Sequence, residues 1–221
     1  MMFVYESIET QFSLDEGYVN ELVIENKAFF RSVIENLAIQ TQGGRGRGVL
    51  SVKDTPVDMA KYAELLTTFV PFDLNQKTLL TKICQALEKQ AMLPERYEVT
   101  VSLLQNIESY VDELAFDFPC ELTYVKLSAG NLFKSLGIEI ETNQTSPLEK
   151  LFDYMSLVRE FDKDKLFITV HLRSYFSDEE LTSFIQTVLG HDMKLLMIES
   201  HAGEVLTRTK RCIVDEDLCE I

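Results

Sequence analysis

Between residues 108 and 121 the chain carries Glu108, Asp112, Glu113, Asp117 and Glu121, with no lysine or arginine among them. Glu108 and Asp112 are four apart, and so are Glu113 and Asp117. Like charges at that spacing weaken a helix by about 0.2–0.5 kcal/mol per pair. Glu139 and Glu141 follow further on. Carboxylates gathered without cations suit a hard divalent ion. Calcium takes six to eight oxygens and tolerates irregular geometry, whereas magnesium is stricter. No EF-hand spacing is present, and an exposed acidic face accounts for the same residues without any metal.

A second group of residues bears on phosphate. Gln42 to Gly48 reads QGGRGRG and holds four of the nine glycines together with Arg45 and Arg47. Flexible Arg-Gly segments can track a nucleic-acid backbone, and a solvated loop is the plain alternative. A nucleotide phosphate loop needs GxxxxGK[ST], so that backbone N–H groups cradle the phosphates while lysine neutralises them. The two Lys-Ser/Thr pairs, Lys77-Thr78 and Lys134-Ser135, both lack the glycine before lysine, so ATP hydrolysis is not expected. His171, His191 and His201 are too scattered for a zinc site; His171 ends an apolar run and reads as a packed or edge histidine. Lys126, Lys134, Lys150, Lys163, Lys165, Arg208, Lys210 and Arg211 are dispersed, which describes a solvated surface unless folding segregates them onto one face.

Composition limits the classes. With 221 residues and 46% apolar content the chain can bury a substantial core. No apolar run reaches the length of a membrane span. Met1 to Phe12 carries Glu6 and Glu9 and no basic residue, unlike a signal peptide. Cys84, Cys120, Cys212 and Cys219 show no CxxC and read as reduced thiols of a cytoplasmic protein, with a Cys212–Cys219 pair as the minor alternative. Lys and Arg number 21 against 36 Asp and Glu, a net charge of −15. Taken alone this argues against nucleic acid, unless the acids hold cations or the basic residues gather on one surface.

The elements that must position these groups are legible in part. Leu166–Val170 and Leu195–Ile198 are unbroken apolar runs, as in strands buried on both faces. Between them Ser177 caps a helix, with Glu180 closing a capping box and Gly190 ending it. Strand, helix and strand make a βαβ unit. Leu22–Ile24 reads as an earlier strand, Asn26 as the cap of a helix through Leu37, and Val49–Val52 as a strand after the glycine loop. Ala63–Phe69 reads as a strand. Asn75 is expected to cap a helix burying Leu79, Leu80, Ile83, Cys84 and Leu87. After Pro94, Leu104, Ile107, Val111, Leu114 and Phe118 recur at steps of three and four, a heptad-like seam on a long helix. Val125–Leu136 continues this helical part, and Ile138–Glu141 alternates like a short strand. Ser146-Pro147-Leu148-Glu149 starts a helix with a capping box, and Thr209–Ile221 reads as a strand or hairpin arm. The result is an α/β class: a nucleotide-fold-like head with a parallel sheet, residues 1–72 and 137–221, and an inserted α-helical arm, 73–136.

Asn131 to Thr142 (NLFKSLGIEIET), Leu148-Glu149-Lys150, Lys165–Val170, Tyr175–Leu181, Leu195–Glu199 and Asp215–Asp217 together resemble the small fourth Cas protein of type II-A CRISPR loci; Leu22–Glu25 and Phe29 are also similar, and residues 40–55 are least so. The resemblance implies a homotetrameric ring with a degenerate P-loop-like head and a helical arm. Such a ring binds double-stranded DNA ends through a basic central hole, carries Ca2+ near the arm and has no catalysis of its own. It acts in antiviral spacer acquisition beside the integrase proteins and RNA-guided nuclease of its locus. On that basis Asp117 and Glu121 are the first expected calcium ligands, followed by Glu113, Glu139 and Glu141. The expected DNA contacts are Lys126, Lys134, Lys150, Lys163 and Lys165, with Arg45 and Arg47 on the glycine loop. A non-DNA-binding scaffold and a metal-dependent nuclease are the alternatives.

Overall fold

Side chains with no polar face on either side of a strand demand cover on both sides, and the computed structural model, which describes residues 1–221, supplies it. Its contacts divide the chain into two compact units, Met1–Phe72 with Gln144–Ile221, and Asp73–Asn143.

The larger unit opens with a hairpin, β1 (Met2–Tyr5) and β2 (Ile8–Ser13), followed by β3 (Val19–Ile24), helix α1 (Lys27–Thr41), β4 (Gly48–Val52), β5 (Thr55–Val57), the single turn α2 (Met59–Tyr62) and β6 (Ala63–Leu66). β1, β2, β4 and β5 form an antiparallel sheet in the order β2-β1-β4-β5. Val49–Val52, read from sequence simply as the next strand, therefore belongs to a second sheet, paired with an N-terminal hairpin that the sequence reading did not assign. After the smaller unit the chain returns as α6 (Pro147–Phe161), β7 (Leu166–Val170), α7 (Asp178–Gly190), β8 (Lys194–Glu199) and β9 (Thr209–Val214).

β6, β7, β8, β3 and β9, in that order, make a wholly parallel sheet. All residues of β7 are buried, as its unbroken apolar run requires, and all of β3 are buried too, Asn20 and Glu21 included. Phe3, Tyr5 and Phe12 of the first sheet meet Leu22, Ile168, Leu196 and Ile198 of the second, and Val33 and Leu37 of α1 complete that core. Leu181, Ile185 and Val188 of α7 are buried, as are Leu151, Tyr154, Met155 and Val158 of α6. The chain after β9 doubles back: Ile213 and Ile221 exchange backbone hydrogen bonds of 3.2 and 2.9 Å. The Glu220 carboxylate accepts from Thr10 N–H at 3.0 Å and from its hydroxyl at 2.7 Å.

The smaller unit holds α3 (Lys77–Ala91), α4 (Pro94–Phe116) and α5 (Ala129–Ser135). Three local expectations change. The N-cap position of α3 falls to Gln76, whose side chain makes no cap bond, while Asn75 is engaged elsewhere: its Oδ1 accepts from Ile140 N–H at 2.7 Å and its Nδ2 reaches Ile140 O at 3.4 Å. This clasp places residues 137–143 in the smaller unit and holds Ile138–Glu141 as irregular chain, not a strand. Of Val125–Leu136 only Ala129–Ser135 is helical. In the larger unit Ser146 does sit at the N-cap of α6 with Pro147 next, but its side chain makes no cap bond, so no capping box forms there.

Candidate functional site

The acids of α4 are the first test. Glu108 accepts a hydrogen bond from Leu127 N–H at 2.7 Å, and Asp112 accepts one from the Tyr124 hydroxyl at 2.7 Å. That bond pushes the phenol of Tyr124 up to about 12. On α3, Glu88 accepts from Gly130 N–H at 3.2 Å, and a Cβ on Gly130 would lie 2.5 Å from that carboxylate. Three arm carboxylates thus satisfy donors of the returning segment 124–130, which has no regular ladder of its own before α5. The like charges at 108 and 112 are each given a donor.

The expected calcium ligands Glu113, Asp117, Glu121, Glu139 and Glu141 are all exposed. No three His, Cys, Asp or Glu side chains come together as a metal cage anywhere in the chain. Calcium takes six to eight oxygens, from carboxylates, carbonyls and water, and the side chains of one chain do not gather three of its acidic ligands in one place.

The cationic candidates separate by environment. Lys126, Lys134 and Lys163 are exposed, and Lys150 is half-buried on α6. Lys165 is buried, with its Nζ donating to Lys61 O at 2.8 Å and lying 3.6 Å from Asp162. Its ammonium is consumed by the fold, so it is withdrawn from the nucleic-acid set. Arg45 and Arg47 are exposed on the glycine loop. That loop is not loose at its base. Gln40 clamps Gly48 from both sides, Nε2 to Gly48 O at 2.7 Å and Oε1 from Gly48 N–H at 2.9 Å. A Cβ at Gly46 would lie 2.5 Å from Gln40, so glycine is required by close approach. The loop presents its two arginines on a fixed stem, Arg47 lying 3.7 Å from Glu6.

In open α/β sheets ligands bind outside the carboxyl ends of the strands, where the strand order reverses. Here the connection from β3 to α1 is only Glu25 and Asn26, and Asn26 Oδ1 caps α1 through Ala28 and Phe29 N–H. Two residues cannot wrap a phosphate. A cavity of about 520 Å³ does lie at this end, over the ends of β3, β7 and β8, and is lined among others by Glu25, Lys27, Phe30, His171, Ser200 and His201.

Beside it lies an ionic cluster missed from sequence. Glu21, fully buried on β3, accepts Arg173 Nε at 2.5 Å and Arg211 Nε at 2.8 Å. Arg173 also reaches Asp178 at 2.7 Å and Glu204 O at 2.7 Å, while Arg211 donates to Gly203 O and Glu204 O at 2.7 and 2.8 Å. Glu199, buried at the end of β8, accepts Arg173 N–H at 3.2 Å, and burial raises its carboxyl to about 7. The available signal was a charge inside an apolar run, Glu21 in VNELVI and Glu199 closing KLLMIE.

Along α4, Val99, Leu103, Ile107, Tyr110 and Leu114 follow at steps of four and three, and all are exposed; Phe116 and Phe118 beyond them are 88% and 60% exposed. Of the seam expected from sequence, Leu104 is buried, Ile107, Val111 and Leu114 are exposed, and Phe118 lies beyond the end of α4.

The four cysteines are free thiols, and no helix is long and apolar enough to cross a membrane. Residues 40–218 match the family model described as CRISPR-associated protein (Cas_Csn2). A CRISPR-associated protein Csn2 of Enterococcus faecalis is 25% identical over 178 residues, 78% of each chain. Another CRISPR-associated protein Csn2, from Streptococcus agalactiae, is 26% identical over 140 residues, 61% of this chain and 62% of the relative. With the match running from the last turn of α1 to the turn after β9, this chain belongs to the Cas_Csn2 family of CRISPR-associated proteins.

Proposed function

We propose that the protein serves CRISPR adaptation as a non-catalytic homotetrameric ring that binds ends of double-stranded DNA, beside the integrase proteins and RNA-guided nuclease of its locus. The observation that carries this reading is the family match over residues 40–218. Two features of the chain support it. The unpartnered apolar stripe of α4 is what a self-associating helix presents, since monomers rarely leave such a face in water. The two-residue connection between β3 and α1 leaves the nucleotide fold without a phosphate cradle, in keeping with a role that consumes no ATP.

DNA contact would fall on phosphates, because a ring that moves along a duplex gains nothing from reading bases. Lys126, Lys134, Lys150 and Lys163, with Arg45 and Arg47, remain the residues proposed for it. Calcium dependence enters as a measurable requirement only, since no cage exists within one chain.

The test is a low-salt gel shift with linear and closed-circular DNA, with calcium or with chelator. Retention of linear DNA alone, in calcium alone, supports the ring reading. No shift in any lane removes DNA binding and leaves a scaffold, and metal-dependent cleavage of the probe overturns the non-catalytic assignment.

A further inference from the structure

The cavity at the carboxyl edge of the parallel sheet is closed by an arrangement that the proposed DNA binding does not use. His171 follows β7 with a left-handed backbone, φ 61°, uncommon for a residue with a side chain. Its ring lies on Phe30 of α1, with centroids 4.7 Å apart. Its Nδ1 is 3.4 Å from the Ser200 hydroxyl, and the His201 Nδ1 is 2.7 Å from the same oxygen. The two imidazoles therefore share one hydroxyl just past β8. Ser200 has a single proton. With both rings neutral it donates to one Nδ1 and accepts N–H from the other, so every group in the relay is satisfied. With both rings charged, the two Nδ1–H groups occupy both lone pairs of the hydroxyl, the Ser200 proton loses its imidazole acceptor, and two positive charges stand within about 6 Å of each other.

The geometry points to His171, Ser200 and His201 as a proton-operated latch. It holds the loop after β8 against the sheet edge when the rings share one proton or none, and loosens it when both are charged.

The surroundings define how the latch responds. From the entry to α1 come Glu25 and Lys27, from the end of β8 the buried Glu199, from the turn after β9 Glu216, and from the turn after β7 Arg173 with Asp178 beyond it. Glu25 and Glu216 bring negative charge to this edge, and Lys27 and Arg173 bring positive charge. Burial, and next His201, hold His171 below its ordinary value. The far side of the loop stays anchored, because Arg173 and Arg211 grip the carbonyls of Gly203 and Glu204 independently of the histidines. The latch acts on Ser200–Ala202, the stretch that rims the cavity.

The experiment uses the full chain. Hydrogen exchange of 200–202, corrected for the intrinsic pH dependence of exchange, is compared between pH 7.5 and 5.0, and the histidine ring signals are titrated by NMR. Protection is expected to fall several-fold at the lower pH. It is expected to hold steady in His201→Gln, in which the His171 titration moves upward. His171→Asn, which tolerates the left-handed backbone, is expected to behave like His201→Gln. Protection that ignores pH in the parent chain overturns the latch. So does an equal fall in His201→Gln, or a His171 titration that this variant does not move.

Discussion

A carboxylate buried without a cation to itself is pushed toward its neutral form, and Glu199 is in that position, since the Arg173 guanidinium is held by Glu21. Its folded pKa, about 7, lies above the ordinary value of 4.5, because burial penalises the charge more than the Arg173 N–H relieves it. The stability it supports is fully present below pH 4.5 and is lost as pH rises through 7. Glu199→Gln should therefore be more stable than the parent at pH 8, by on the order of 1–3 kcal/mol, with the gap closing by pH 5; denaturant melts at the two pH values measure it. His171 has the opposite sign: its neutral form is favoured by burial, so its contribution is present above pH 6.5 and is lost as pH falls through the lowered folded value. Glu21 is different again, since both its oxygens hold a guanidinium. Glu21→Ala leaves two inward arginines without their shared partner and should cost about 3–5 kcal/mol in the same melts. Of these residues only His171 was read correctly from sequence, as a packed histidine at a strand end. Glu21 and Arg211 are 190 positions apart, and nothing local in either stretch announces the pair.

Among the elements, those whose signals are local came through intact. Ser177 and Glu180 form the expected capping box on α7, Ser177 Oγ accepting Glu180 N–H and the Glu180 carboxylate accepting Ser177 N–H at 2.8 Å. Ser177→Ala should lower stability by about 1 kcal/mol, read by thermal melting. Ser146 and Glu149 carry the same spacing without forming the box, and Asn75 spends its side chain on Ile140 when α3 offers it a cap. Caps are thus legible as candidates, while tertiary partners decide which are used. The N-terminal hairpin was readable and missed: Phe3, Tyr5, Ile8 and Phe12 fall on one buried side, but Glu6, Ser7 and Glu9 break the apolar text. The exposed apolar stripe of α4 shares only Ile107 and Leu114 with the seam expected from sequence, and nothing within one chain covers it. If it joins copies of the chain, Leu103→Glu with Leu114→Glu should shift the protein to a smaller species in sedimentation while circular dichroism keeps its helix content, because both residues already face water within one chain.

For the whole molecule, a net charge of −15 opposes any polyanion. DNA affinity resting on a few exposed cations should therefore depend steeply on salt. Each phosphate contact contributes about 0.9 to the slope of log affinity against log salt. Lys126→Ala, Lys134→Ala or Lys163→Ala should each reduce that slope by about one per contact removed, equally for all sequences, if the residue touches phosphate. Lys165→Ala should instead lower stability and leave the slope alone, because its ammonium is already held by Lys61 O. Titrations of labelled duplex at four salt concentrations separate the two behaviours.

The short joint between β3 and α1 has a consequence for what the fold can become. Residues that are merely wrong can be exchanged one at a time, each step testable on its own. Glu25 and Asn26 are not wrong residues in a long loop; they are the entire connection, and Asn26 is already engaged with the first turn of α1. Building a phosphate cradle there would take an insertion of several residues that also unseats that cap. Engineered point variants at this edge are therefore expected to change stability without creating affinity for ATP, which nucleotide titration of the variants checks.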